Sequence, residues 1–541
     1  MCTRMSNYKV NIQKNFFCLY ILLAGLSTSL FAQSANNKVS KTPVAKVSPA
    51  LITQADISGV TVFDPDELWV QALNRAKSNG ESPSYLDACE AIKSIYREKG
   101  YFLIEAACSV QGSRLLVGVH EGRIRKIEIS GVDDEIAKKI SDIITSAIGD
   151  GPVTLEKFER GIMLAKDLSG VSLTAEVIAS DQSGNDLLRI AANFVKQRGS
   201  VSIDNLPRNF GQGMYGILTE EIYSTLTPGD LFRINVLPSG DFNGQWNGIF
   251  GTGTYRAPLN DDGLYGEVTA GAGLTKTYYN GAGTSPNDTF QKTNLAGVVI
   301  GYPIIRNSHE FLYTISEINY YGLTGTNTGV SNVDTGVFRQ YLTYSTNSND
   351  GKSTRASITV SAGTSGIQVL QSTPPQNLNN ANFYSLRAGA GHITPLDELS
   401  PGLGLRLEAS LQYTTNSLPT VEKYFLGDRS RLRGYGYAEV IGDTGYAATA
   451  EIAQYFHVGW NYLDSISPFG FFDFGAVKQN TAVQGGFVNQ ANLASFGVGL
   501  QTGSKELFSV RGWYGVPMKS IPNGTQAYSP AFWLQLTQAW R

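Results

Sequence analysis

The sequence predicts a membrane all-β barrel of about 16 antiparallel strands, preceded by two small α/β modules. Three observations point there. The C-terminal two-thirds alternates apolar and polar residues at period two. The chain opens on an export signal, yet no later stretch is apolar enough for a spanning helix. Between these regions lie two successive segments in which helical spacing and strand-like runs follow one plan.

The export signal covers residues 1–32. Arg4, Lys9 and Lys14 supply a positive start, Phe16 to Leu26 a short apolar run, and Leu30-Phe31-Ala32 a small residue before Gln33. Cys18 follows Asn15-Phe16-Phe17 and lacks the small residues that precede a lipoprotein cysteine. No later run reaches the roughly 18 apolar residues of a spanning helix, so a mature chain in a membrane must cross it with strands. Composition agrees. The 541 residues include 58 Gly, 27 Tyr and 25 Phe, yet the mean hydropathy is -0.13. That balance fits strands that are apolar on one face only. With 16% charged residues and a formal net charge of -3, the chain has no basic footprint for nucleic acid.

Residues 33–54 are rich in Ser, Asn, Lys, Ala and Pro without periodicity, and read as a flexible lead-in. Residues 55–122 form the first module. Tyr85, Leu86, Cys89, Ile92, Ile95 and Tyr96 recur at helical spacing, and Gly100 stops that helix. Tyr101 to Val110 and Leu115 to His120 read as strands around Gln111-Gly112-Ser113. Residues 123–197 form the second module. Its expected elements are a strand from Ile124 to Ile129, a helix from Glu135 to Ile148, and a second helix lined by Leu155, Phe158, Ile162, Ala165 and Leu168. A hairpin follows, from Ser172 to Ala179 and Leu187 to Val195, around Ser183-Gly184-Asn185.

Residues 198–541 carry the barrel pattern. Leu403, Leu405, Leu407, Ala409, Leu411 and Tyr413 fall on one face; Arg406, Glu408, Ser410 and Gln412 fall on the other. That is the length and dyad period of a barrel strand, with a face for lipid and a face for a wet lumen. Ala356, Ile358, Val360 and Ala362 repeat it after the turn Asn349-Asp350-Gly351, as do Tyr384, Leu386, Ala388 and Ala390. Phe532, Leu534, Leu536 and Trp540 line the terminal strand. About 340 residues hold about 16 strands with their turns, and such a lumen admits water or an extended chain.

After processing, Cys89 and Cys108 remain. An oxidising compartment favours a disulfide between them, worth on the order of 3 kcal/mol; two buried thiols in one small core fit equally well. His120, His309, His392 and His457 are scattered without metal-ligand spacing. Gly211-Gln212-Gly213-Met214-Tyr215-Gly216 matches G-x-G-x-x-G but lacks the strand, helix and distant acid of a nucleotide site. No Walker loop, H-E-x-x-H or G-x-S-x-G is present. The chain therefore reads as no enzyme, with no cofactor and no metal.

Two stretches carry a resemblance. Phe425-Leu426-Gly427-Asp428 leads to Leu432-Arg433-Gly434-Tyr435-Gly436-Tyr437, and Phe471-Phe472-Asp473-Phe474-Gly475 follows. The first resembles the inward-folded loop of two-partner secretion transporters, the haemolysin-activator and filamentous-haemagglutinin transporter type. The second resembles that family's later lumenal strand motif. The resemblance implies that Arg433, in the tip Arg433-Gly434-Tyr435, pairs with Asp473 inside the barrel, with Glu451 as a rival partner. A loop tip in a water-filled lumen has little apolar burial to hold it, so a bidentate guanidinium–carboxylate contact would supply the hold. Half-solvated, it is worth about 1 kcal/mol, enough for a latch that opens.

The resemblance extends over the modules. Tyr96-x-x-x-Gly100-Tyr101 and Val119-His120-Glu121-Gly122-Arg123-Ile124 are similar to the end of a first POTRA module, and Leu168-Ser169-Gly170-Val171 to part of a second. Asp204-Asn205 and Pro228-Gly229-Asp230 resemble the family's approach to the barrel. The chain departs from the family at two points: residues 33–54 show no plug helix, and Arg541 follows the terminal Trp540. The implied function is export of one unfolded secreted partner, a large adhesin or haemolysin-like exoprotein. It would be captured by the periplasmic modules and passed through a barrel set in outer-membrane lipid, without ATP. The alternatives are an insertase for other outer-membrane proteins and a passive diffusion porin.

Overall fold

The computed structural model describes residues 54–77, 85–111, 114–178, 185–206, 213–241, 246–277, 289–325, 332–369, 376–460, 463–480, 489–504, 508–521 and 530–540. The export signal, the lead-in up to residue 53, parts of both expected hairpin turns, Gly211-Gln212 and Arg541 lie outside them.

The first module comprises β1 (Gln54–Ser58), α1 (Pro65–Lys77), α2 (Tyr85–Glu98), β2 (Ile104–Gln111) and β3 (Arg114–Glu121). The second repeats the plan with β4 (Arg123–Ser130), α3 (Asp134–Ile148), α4 (Leu155–Lys166), β5 (Val171–Ile178) and β6 (Asn185–Phe194). Each sheet has its last strand in the centre, parallel to the first and antiparallel to the second. β1 starts at Gln54, one residue inside the stretch read as lead-in, and α1 goes beyond the pattern read from periodicity. Its start is nonetheless a local signal. Asp64 accepts hydrogen bonds from the N–H groups of Asp66 and Glu67 at 3.0 and 3.1 Å, with Pro65 in the first turn.

In α3 the side chain of Asp133 caps Ile136 N at 2.9 Å, and Gly149, at φ 67°, ends the helix. Ile136, Ile140, Ile143, Ile144 and Ile148 form its buried stripe against Leu164, Leu188 and Ile190. Each such side chain removed from water contributes roughly 1.5–3 kcal/mol. Leu68, Ile92, Ile95, Tyr96, Leu115 and Val117 form the separate core of the first module. Phe102 and Leu103, before β2, pack into the second core. Gly100 O and Gly122 O accept from Leu155 N and Val153 N at 2.8 and 3.2 Å. The two modules therefore share backbone hydrogen bonds as well as apolar contact.

The barrel begins with β7 (Gln197–Leu206), β8 (Gly213–Tyr223), β9 (Leu231–Asp241), β10 (Trp246–Pro258), β11 (Tyr265–Thr277) and β12 (Thr289–Arg306). It continues with β13 (Glu310–Gly325), β14 (Asn332–Asn347), β15 (Ser353–Val369), β16 (Gln376–Pro395) and β17 (Leu403–Tyr413). The loop after β17 carries two short strands, β18 (Tyr424–Leu426) and β19 (Val440–Gly442). The wall resumes with β20 (Thr444–Gln454), continued by β21 (Phe456–His457), and ends with β22 (Ser465–Lys478), β23 (Gln490–Gly503), β24 (Phe508–Pro517) and β25 (Ala531–Trp540). Counting β20 and β21 as one, sixteen antiparallel strands close when β25 pairs with β7 from Gln535↔Asp204 to Trp540↔Gly199. Closure leaves no sheet edge, which a structure surrounded by lipid requires.

Alternation sets the faces. Ile318, Ile358, Val360, Leu411, Val498 and Phe532 point outward and are exposed; Thr359, Ser361, Gln412 and Asp473 point inward and are buried. Tyr455, Phe456 and Trp460 ring the end nearest the modules, and Tyr413 and Tyr446 the far end, as aromatic girdles do. No described helix is long and apolar enough to cross a membrane.

The second module is bolted to the barrel. Arg160 pairs with Asp262 at 2.9 Å and also donates to Pro303 O. Asp167 pairs with Arg306 at 2.7 Å and accepts from the Tyr313 hydroxyl at 2.9 Å. Lys139 reaches Asp261 at 2.7 Å, and Ser308 donates to Glu159. These contacts fix α3 and α4 against the turns of β10–β13.

Candidate functional site: an inward-folded loop

Residues 414–443 leave the far end of β17 and turn back into the lumen as a hairpin of β18 and β19. The root is held by charge. Glu422, fully buried, accepts from Arg339 and from Arg387, the latter at 2.9 Å. Lys423 pairs with Asp443 at 2.9 Å, and Asp443 also accepts from Leu418 N and Asn480 N. A carboxylate stripped of water is stable only with such partners.

Beyond β18 the chain turns sharply. Gly427 sits at φ 95°, where a Cβ would lie 2.0 Å from Gly436 O. Asp428 then accepts from the N–H groups of Ser430 and Arg431. Leu432 adopts φ 57°, a left-handed conformation unusual for a branched side chain. That turn aims Arg433 at the wall.

Arg433 meets Asp473 bidentately: Nη2 donates to Oδ1 at 2.9 Å and Nε to Oδ2 at 3.1 Å. Its backbone N–H donates to the same carboxylate at 2.9 Å. Nη1 donates to Glu451, and the guanidinium lies 3.7 Å from the Phe471 ring centre. Trp533 Nε1 donates to Arg433 O at 3.0 Å. Gly434 N donates to Ser495 Oγ at 3.2 Å, and a Cβ on Gly434 would lie 2.6 Å from Ser495 Cβ. The Tyr435 hydroxyl lies 2.9 Å from Ala494 O and 2.8 Å from Lys519 O.

The structure thus brings Arg433, Gly434, Tyr435, Asp473 and Glu451 together. Two expectations change. Glu451 is no rival of Asp473, because Arg433 has donors enough for both. Nor does the tip lack apolar burial. Arg433 is 2% exposed and Asp473 0%, while Leu426, Leu432, Tyr435 and Val440 pack against Val477 and Leu493. The pair is buried, so its rupture costs more than a half-solvated contact would.

Several partners escaped the sequence reading. Arg406 and Arg511 approach Glu451 at 3.9 and 3.5 Å. Arg429 pairs with Asp204 on β7 at 2.7 Å. Ser495, Trp533, Arg339 and Arg387 come from strands far along the chain, and neither they nor Glu422 at the loop root carry a local motif. Two had a signal: Phe471 lies two residues before Asp473 on the same strand face, and Arg406 falls on the lumenal face of β17. A cavity of about 400 Å³ remains beside the loop, lined in part by Arg355, His392, Arg406 and Thr449. Cys89 and Cys108 form a disulfide in the first module. Among the described residues, no group of three or more His, Cys, Asp or Glu is placed to hold a metal.

Residues 317–502, which include the loop, Arg433, Glu451 and Asp473, match the family model described as haemolysin secretion/activation protein ShlB/FhaC/HecB. CdiB from Escherichia coli has a similar fold, with a TM-score of 0.72 at 15% identity, covering 93% of each chain. CdiB from Acinetobacter baumannii matches with a TM-score of 0.67 at 15% identity over 94% of each chain. No curated relative matches by sequence. The protein is a closed sixteen-stranded antiparallel β-barrel with two small α/β modules at its N-terminal side.

Proposed function

We propose that the chain captures an unfolded exoprotein, adhesin-like or haemolysin-like, in the periplasm and passes it through the lumen to the cell surface without ATP. The observation that carries this reading is the loop. A sixteen-stranded barrel is wide enough for an extended chain, and here its interior is occupied by one hairpin held through a discrete ion-pair cluster at Arg433. A plug that is pinned rather than continuous with the wall can be displaced. The periplasm holds no ATP, so folding of the exoprotein outside the cell would make return improbable.

Capture is assigned to the second module, within 155–195. Its sheet ends on β5, whose outer edge has no strand partner among the described residues. An extended segment can pair there through main-chain hydrogen bonds. The division into a 1–32 signal, a 33–54 lead-in, modules at 55–122 and 123–197, and a barrel at 198–541 belongs to the same proposal.

The test is co-expression with candidate exoproteins. The reading expects one of them to reach the surface only with this chain present. Proline at Thr174 or Ala175 should abolish binding of that exoprotein to the periplasmic face. Export of every candidate without the chain would end the reading, and undiminished binding to both proline variants would end the placement on β5.

A further inference from the structure

The lumen has two unlike halves. The wall from β13 to β24 carries most of the charged clusters and most of the hairpin's contacts, and the hairpin also reaches Trp533 on β25 and Asp204 on β7. On the wall from β25 through β7 to β11, mid-height and on the module side of Asp204, the inward side chains are neutral. Thr219 donates to Asn235 at 2.9 Å, and Asn235 donates to Thr252 at 3.1 Å. Thr254 and Thr269 share a hydrogen bond at 2.9 Å, and Thr537 meets Ser202 at 3.1 Å. The alternate residues Leu218, Ile234 and Val268 are exposed on the lipid side, which fixes the others as lumenal. Charge returns one step nearer the modules, where Glu221 pairs with Arg233 at 2.7 Å and Arg256 lies 3.7 Å over the Tyr265 ring.

We propose that this neutral wall is the track for the exoprotein, and that it fits an extended segment rich in Ser, Thr, Asn and Gly. The proposal rests on the transporter reading and names its substrate class. A chain in transit sheds water from its backbone amides and carbonyls, and each then needs a partner. Hydroxyls and carboxamides both donate and accept, so they serve either group in any register. Exchanging one neutral hydrogen bond for another is nearly balanced, so the chain is not trapped. Fixed charges would hold a point charge and release it slowly. Position supports the same occupant. The second module is clamped by Arg160–Asp262 and Lys139–Asp261 to the turn between β10 and β11, at the foot of this wall. A segment held on that module arrives at the track rather than at the hairpin.

The test uses the full-length chain, wild type and Arg433→Ala, in planar bilayers. Two 30-residue peptides are added on the module side, one of Ser, Thr, Asn and Gly, the other of alternating Lys and Glu. The neutral peptide should block current more often than the charged one. Combining Thr219→Val, Thr252→Val, Thr254→Val and Thr269→Val, which keeps shape and removes hydroxyls, should cut that blocking about tenfold. Thr343→Val with Thr359→Val, on the opposite wall, should leave it unchanged. Heat-modifiable migration verifies that each variant is a folded barrel. Equal blocking by both peptides, or equal loss from both sets of valines, would overturn the track. Absence of blocking in both chains would overturn it too, while export of an exoprotein in cells would leave the transporter reading standing.

Discussion

Trp533 on the last strand donates to the carbonyl of Arg433, the residue whose side chain holds Asp473 and Glu451. The strand that closes the barrel and the tip of the inward-folded hairpin are therefore joined by one buried hydrogen bond. Trp533→Phe keeps the ring stacked on Trp513, 5.7 Å away, but leaves that carbonyl without its donor. A buried acceptor so orphaned costs about 1–3 kcal/mol. The variant should show longer open times in single-channel recordings, with the barrel still closed and heat-modifiable.

Gly434 tests the close approach. Any side chain there meets Ser495 and the backbone of Val516, so Gly434→Ala should keep the tip from seating fully. Its open probability should rise by about tenfold, the equivalent of 1.4 kcal/mol. Ser495→Gly, which clears the space at Ser495, should partly restore closure to the Gly434→Ala channel. Failure of that rescue would show that the contact is not what seats the tip.

The first module has a carboxylate hub of its own. Glu121 is 6% exposed and accepts from Tyr96 at 2.6 Å, from Thr61 Oγ1, and from the N–H groups of Thr61 and Val62 at 2.9 Å each. Burial pushes this carboxyl up, but the hydrogen bonds from Thr61, Tyr96 and Val62 outweigh it and hold it below its ordinary value. A lowered carboxyl stabilises fully above its unfolded value, about 4.3, and loses that contribution as pH falls through the folded value. Hydrogen exchange at Tyr96 and Val117 should therefore accelerate on acidification below about pH 4. Glu121→Gln should weaken the module by about 2 kcal/mol at neutral pH and flatten that acid dependence.

The Cys89–Cys108 disulfide closes a loop with a sequence separation of 19. Reduction, or Cys89→Ser with Cys108→Ser, should cost on the order of 3 kcal/mol through the freer unfolded chain. The loss should be confined to the first module. Limited proteolysis should cut between Tyr85 and Gln111 sooner, while cleavage of the second module and barrel stays unchanged.

The parts legible in the sequence were those written locally. The α3 stripe, the β17 dyad pattern and the Asn349-Asp350-Gly351 turn each need only a dozen residues to show themselves. Arg433 and Asp473 were legible through the family resemblance carried by the short glycine- and aromatic-rich stretches that hold them. The remaining partners were not. Trp533, Ser495 and Asp204 meet the hairpin, and Arg511 meets Glu451, only because sixteen strands close a ring, and no local pattern marks them as inward ligands. The dry environment of Arg433 was hidden for the same reason. Leu432 and Tyr435 look like exposed loop residues until Val477 and Leu493, on two separate strands, come to cover them.

The central claim is that the contact between Arg433 and Asp473 keeps the lumen shut. A double-mutant cycle of Arg433→Ala and Asp473→Ala, read as open probability in planar bilayers, tests it most directly. Each single variant should open the channel strongly, and the double variant should open it no further than the stronger single. Four channels with the same open probability, or single effects that simply add, would contradict the claim.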